Sequence, residues 1–334
     1  MKNGSYSFEI LASKRVDTPN RQEELVEATV ALIVDLKRSV KIIEGRFDSD
    51  SSIVDELNVD IEFDKSLNIK DNLEVLPLTV GVGVPGLVAR DGSLVFAPNL
   101  RRVSGLRFKE KLEGQLDCHV VIENDATCAA NCEFRFGVGK GQKSMLMVTL
   151  GTGIGGGIVA NSQIFHGESN FAGEIGHMVV NPFGPECSCG KKGCWERYAS
   201  GSGLGRIGRE AGLARKAPKI VELAGGDAES IKGEHIIASA QNGDTQAVEI
   251  IKEFSWWIAL GLSNLANILD PKLIVIGGGV VNSHGVWLDF VREAFADLVE
   301  GVSVRDRINI EAAKFGIYAG AIGAGLFSAE EILI

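Results

Sequence analysis

Hydrophobic residues recur at three- and four-residue steps over residues 21–39, where Leu25, Ala28, Leu32, Ile33 and Leu36 form one stripe. That spacing predicts an amphipathic helix, entered at Thr18-Pro19. A longer stripe of the same kind, Ala247, Ile250, Ile251, Phe254, Ile258 and Leu262, predicts a helix over 245–268. Short continuous apolar runs predict buried strands instead, at 78–84 (closed by Pro85-Gly86), 120–123, 144–150 and 273–276. Segments 87–89 and 93–96 flank Arg90-Asp91-Gly92 and predict a hairpin. Strand 120–123 ends at Asn124-Asp125, which opens a helix over 126–136. Strand 144–150 runs into Gly151-Thr152-Gly153-Ile154-Gly155-Gly156-Gly157, with strands expected at 158–160 and 163–165. Strand, glycine turn and strand make a hairpin, not a dinucleotide-binding unit. Strand 273–276 enters Gly277-Gly278-Gly279 and then a helix, so the class is α/β. Residues 319–333 form a small-residue helix expected to lie close on a sheet. The acidic stretch 41–74 has no clean period and is read as one helix and surface loop.

Composition narrows the function. With 34 Lys+Arg against 44 Asp+Glu the net charge is −10, and no basic run offers a face to phosphates, which excludes a sequence-blind nucleic-acid binder. The longest apolar stretches, 273–281 and 317–327, are far short of the ~20 residues of a membrane span, and the N-terminus lacks an apolar signal segment. A soluble, cytoplasmic protein without membrane partners is expected. The 41 glycines fall in clusters, which means backbone shaped for close approach.

Three constellations carry chemistry. His177, Cys187, Cys189 and Cys194 make three thiolates and an imidazole, a complete tetrahedral set for a structural zinc ion, with Gly190-Lys191-Lys192-Gly193 turning Cys194 back toward Cys189. The Gly151–Gly157 run following a strand offers backbone N–H groups and the Thr152 hydroxyl to a phosphate, or is a glycine-rich hairpin turn alone. Gly277, Gly278 and Gly279 are a second candidate for close approach to a nucleotide. Asp125, at the carboxyl end of a strand, is either a general base toward a hydroxyl or a helix N-cap. Glu174 and Glu196 flank the zinc ligands and suit a polyhydroxyl ligand, or are solvated surface carboxylates.

Taken together, Glu123-Asn124-Asp125-Ala126, the 150–157 run, Gly173-Glu174-Ile175-Gly176-His177 and Cys187-Ser188-Cys189-Gly190-Lys191-Lys192-Gly193-Cys194-Trp195-Glu196 resemble the ROK family of sugar kinases and sugar-responsive repressors. The resemblance extends to Val84-Pro85-Gly86, Ala97-Pro98-Asn99-Leu100 and Ile274-Val275-Ile276-Gly277-Gly278-Gly279, and within the family it is greatest to bacterial glucokinases. It implies the actin-like, hexokinase-like ATPase fold: a small lobe of 1–123 plus 315–334, and a large lobe of 124–314 bearing the zinc loop. It implies ATP-dependent phosphorylation of a hexose, glucose before others, with a sugar-binding sensor as the alternative. Asp125 would take the proton of the sugar 6-hydroxyl. Asn99, Asn124, Glu174, His177 and Glu196 would hold the other hydroxyls. Gly151, Thr152, Gly153, Gly277 and Gly278 would bind Mg-ATP, and His177, Cys187, Cys189 and Cys194 a structural zinc. A homodimer is the family expectation. The family's opening Asp-x-Gly-Gly-Thr-Lys strand has no counterpart before Gly81, and residues 6–19 resemble the strand and loop that follow it, so the first strand of the small lobe is expected to be missing.

Overall fold

A computed structural model describes residues 18–44, 79–98, 100–116 and 118–332. The expectations for residues 6–17 and for most of the 41–74 stretch lie outside these, as does Asn99.

Two α/β lobes share the chain. In the smaller, α1 (Gln22–Glu44) packs on α2 (Phe108–Glu113) and on the 3₁₀ turn Arg101–Val103, and shares one core with the hairpin β2 (Leu87–Val88) and β3 (Leu94–Phe96) and with the parallel pair β1 (Thr79–Val84) and β4 (His119–Asn124). The face that α1 buries is turned slightly from the expected stripe: Leu25 and Val26 are buried, with Val30, Ile33 and Val34 against them. Helix α3 (Asp125–Arg135) follows β4 without a loop.

The larger lobe is a five-stranded sheet in the order β7-β6-β5-β8-β9. Its strands are β5 (Met145–Leu150), β6 (Ile154–Ala160), β7 (Gln163–Ile164), β8 (Leu273–Gly277) and β9 (Asn309–Ala312). β5 and β6 are antiparallel, as the hairpin reading requires, whereas β5, β8 and β9 are parallel. One correction falls on the glycine run. The turn is only 151–153, and Gly155, Gly156 and Gly157 lie inside β6. There they let α3 rest on the sheet, for a Cβ on Gly155 would stand 2.7 Å from Ala126 Cβ and one on Gly157 would collide with Ala130. These glycines serve packing rather than phosphate approach.

Helices α4 (Glu196–Ala199), α5 (Gly201–Leu213), α6 (Pro218–Leu223), α7 (Gly233–Gln241), α8 (Thr245–Leu269) and α9 (His284–Leu298) complete the lobe. All six residues of the expected α8 stripe are buried, in one core with Trp195, Leu204, Ile276 and Trp287. Finally α10 (Ala319–Ile332) returns to β1 and α3, where Gly81 and Gly323 allow backbone-to-backbone contact with Ala324 and Cys128.

Gly278 has φ +85°, and a Cβ there would stand 2.5 Å from the Leu150 carbonyl oxygen. Gly278→Ala is therefore expected to cost about 2 kcal/mol or more, from left-handed strain plus displaced backbone, measurable by urea unfolding; an unchanged midpoint would contradict this account.

Candidate active site

β4 ends at the cleft because Asn124 caps α3: its Oδ1 accepts the N–H groups of Ala126 and Thr127 at 2.9 and 3.0 Å, and its Nδ2 donates to the Gly86 carbonyl at 3.2 Å. The cap is thus Asn124 rather than Asp125. Asp125 is the first residue of the helix, its Oδ1 accepting the Ala126 N–H at 2.8 Å. Its side chain is exposed to the cleft while protein crowds it on the other sides, and that crowding raises its carboxyl above the ordinary aspartate range.

Opposite lies the 174–196 segment. A 3₁₀ turn, Ile175–His177, directs the His177 ring between two sets of groups. Nδ1 lies 3.7 Å from Cys187 Sγ and 3.8 Å from Glu196 Oε1, while Nε2 lies 3.8 Å from Glu174 Oε2. Enclosure raises the Glu174 carboxyl; His177 opposes this, and the charges of Asp125 and Glu196 add to it. Glu174 and Asp125 are therefore electrostatic neighbours across the cleft.

The donor atoms of His177, Cys187, Cys189 and Cys194 all lie within 4.8 Å of one another, with Cys189 Sγ and Cys194 Sγ 3.6 Å apart. A tetrahedral zinc with Zn–S of ~2.3 Å needs sulfur–sulfur edges of about 3.8 Å, so the set fits the ion with little movement. The loop is shaped as expected. Cys187 N–H donates to the Lys191 carbonyl at 2.8 Å, and Gly190 and Gly193 take positive φ, where a Cβ on Gly193 would strike the Asn181 carbonyl.

Glu196 follows Trp195, a fully buried anchor whose Nε1 donates to the Trp257 carbonyl at 2.7 Å and whose indole occupies the space left by Gly261 on α8. The Glu196 carboxylate accepts from Cys187 Sγ at 2.9 Å and overlies the glycine turn, for a Cβ on Gly153 would stand 2.6 Å from its Oε2. That turn meets two others. Gly201 N–H, at the start of α5, donates to the Gly151 carbonyl at 2.8 Å, and Gly278 abuts Leu150. Gly151, Thr152, Gly153, Gly277 and Gly278 thus gather at the carboxyl ends of neighbouring parallel strands β5 and β8, beside the first turn of α5. Thr152 is exposed there.

The structure brings together every site residue read from the sequence, Asn99 aside. What sequence reasoning missed are contacts across the cleft: Arg101 donates to the Ser188 carbonyl at 3.0 Å, Arg90 to the carbonyls of Gly167 and Glu168 at 2.9 Å each, and Glu123 binds His166 and Asn170. The one signal in the sequence was a carboxylate at 123 following the apolar strand residues Val120 to Ile122, which calls for a partner.

No helix among the described residues is long and apolar enough to cross a membrane. The model of the ROK family matches residues 50–331. A glucokinase of Streptomyces coelicolor is 38% identical over 251 residues, covering 74% of this chain and 78% of that protein. A xylose repressor of Bacillus subtilis is 31% identical over 220 residues, covering 66% of this chain and 53% of the repressor. Among solved structures, a ROK family glucokinase from Streptomyces griseus, in complex with glucose and AMPPNP, aligns with a TM-score of 0.78 at 33% identity over 96% of this chain and 93% of that one. A ROK hexokinase from Thermus thermophilus aligns at 0.70 and 27% identity, over 96% and 90%. Motifs, lobes and cleft agree with these likenesses, and the chain is a member of the ROK family.

Proposed function

We propose that this chain transfers the γ-phosphoryl group of Mg-ATP to the 6-hydroxyl of a hexose, with glucose the first candidate. One observation carries the reading: Asp125, Glu174, His177 and Glu196 form one linked polar group, and its member Glu196 lies against Gly153 of the Gly151–Gly153 turn. A hydroxylated ligand and a phosphate chain would then meet at one point. The glucokinase likenesses, with glucose and an ATP analogue bound in one of them, support the same reading.

In this mechanism Asp125 accepts the 6-hydroxyl proton as the sugar's 6-oxygen bonds to the γ-phosphorus and the bond from that phosphorus to ADP breaks, releasing ADP. Glu174, His177 and Glu196 hold the remaining hydroxyls, with Asn99 assigned by family likeness alone. Asn124 contributes through its remaining amide hydrogen, since its carbonyl oxygen and one N–H are engaged by the helix and Gly86. The turns at Gly151, Thr152 and Gly153, where the Gly151 N–H closes the turn on the Gly153 carbonyl at 3.0 Å and leaves Thr152 and Gly153 to face a ligand, and at Gly277 and Gly278, cradle phosphates and nucleotide. His177, Cys187, Cys189 and Cys194 would hold a zinc ion, which would supply rigidity to the loop, and His177 Nε2 faces Glu174 and the sugar side. The lobes divide near residues 123 and 315, and closure between them excludes water.

The test is hexose 6-phosphate formation from glucose, mannose and fructose with Mg-ATP in a coupled assay. Turnover with glucose above the others is expected. A protein that binds glucose yet forms no phosphate ester would favour the sensor reading, to which the xylose repressor likeness gives some support. The retained Asp125, which sugar sensing does not need, favours the enzyme.

A further inference from the structure

Two carboxylates in or beside α3 are buried but unused by the mechanism, and they differ in kind. Glu133 accepts the backbone N–H groups of Phe315 at 2.8 Å and Val138 at 3.2 Å, with Lys314 beside it, and ties loops within its surroundings. Glu123, the residue two before Asp125, accepts instead from both sides of the cleft. Its Oε1 takes the N–H of Asn124 at 2.7 Å, at the end of the strand that leads into Asp125. From the large lobe, Asn170 Nδ2 approaches Oε1 at 3.3 Å and His166 Nδ1 approaches Oε2 at 3.2 Å. A carboxylate oxygen accepts, so His166 Nδ1 is the donating atom in this contact. The far side is held as firmly: Asn170 also donates to the Val88 carbonyl at 3.2 Å, Arg90 grips the carbonyls of Gly167 and Glu168, and the His166 ring lies 5.9 Å from that of Phe327 on α10. Residues 166–170 lead within a few positions to Glu174 and His177.

We propose that Glu123 is a positioning residue: it ties the junction bearing Asn124 and Asp125 to segment 166–170, and so sets the separation of Asp125 from Glu174 and His177. The proposal rests on the hexokinase reading above. Because a misplacement of about 1 Å can cost a hundredfold in rate, a buried, multiply bonded carboxylate at this joint matters for the sugar half of the site and not for the nucleotide half.

The test changes the far side of the joint and leaves the Asn124 contact alone. His166→Phe keeps a ring against Phe327 but removes the donor. Asn170→Gly removes the amide while keeping a residue at ease with the φ of +67° found there. Each is expected to lower kcat/KM for the hexose about tenfold or more, with the KM for ATP unchanged and the melting temperature little moved. His166→Asn, which returns an N–H at the δ position, is expected to recover much of the loss. Wild-type hexose kinetics in His166→Phe and Asn170→Gly would overturn the proposal, as would equal losses toward hexose and ATP, or His166→Asn no better than His166→Phe. A wild-type protein without hexose phosphorylation would bring down the functional reading and this role with it; normal wild-type turnover beside unaltered variants would remove the positioning role alone.

Discussion

Asp125→Asn is expected to lower kcat for hexose phosphorylation by ~10²- to 10⁴-fold, the range general-base catalysis contributes. The amide keeps the shape of the side chain and the acceptor that binds the Ala126 N–H, so geometry and sugar affinity should change little. It cannot take a proton. The loss should therefore appear in kcat rather than in the KM of either substrate, and an unchanged kcat would remove Asp125 from the base role. Its pH behaviour follows from the crowding of the carboxyl. The base works ionised, so activity falls as pH drops through its pKa, and the acid limb of the kcat/KM profile should lie above the ordinary aspartate value of about 3.9. Stability runs the opposite way. The native state holds this proton more tightly than the unfolded chain, so the ionised group costs stability above its native pKa, and that cost disappears at lower pH. Asp125→Asn should accordingly melt no lower than wild type at pH 7, with the difference vanishing in acid.

Cys189→Ser is expected to reduce bound zinc from one equivalent to far below it, and to lower hexose kcat/KM by about ten- to a hundredfold, the scale on which supports of a metal site act. The ATP KM should hardly move, because the glycine turns are built on β5, β8 and α5 rather than on the loop. Removing one thiolate frees the loop between His177 and Cys194, and with it the ring whose Nε2 faces Glu174. Glu196 should suffer less, since Trp195 anchors it independently. Metal analysis with sugar and ATP titrations checks each part, and full zinc content in the variant would show the ligand set to be wrong.

Much of this arrangement was legible in the residues. Ligand spacing marked the metal loop, a 3.6-residue period marked α8 with its whole buried face, and strand-ending motifs marked both glycine turns. Legibility failed where glycine means two things. Gly155, Gly156 and Gly157 read as turn, yet lie in β6, where α3, some thirty residues earlier, presses on Gly155 and Gly157 and the 173–175 segment, some twenty residues later, on Gly156. The same ambiguity hid α5, whose Gly201, Gly203, Gly205 and Gly208 obscure a helical period and fit close neighbours, while Leu204, Ile207 and Ala211 carry its core contacts. The cross-cleft bonds of Arg90, Arg101 and Glu123 were invisible for another reason: each joins segments far apart in the chain, and no local pattern encodes such a meeting.

The parallel pairing of β5 with β8 joins Met145 to Leu273, more than a hundred residues apart, and the two glycine turns exist as a pair only once that pairing is made. The metal ligands, by contrast, all fall between residues 177 and 194. Closing the longer loop costs more entropy and takes longer. On a ribosome, then, the four proposed metal ligands are all synthesised while β8 is still absent, so the loop of 177–194 can take its shape before the second glycine turn exists.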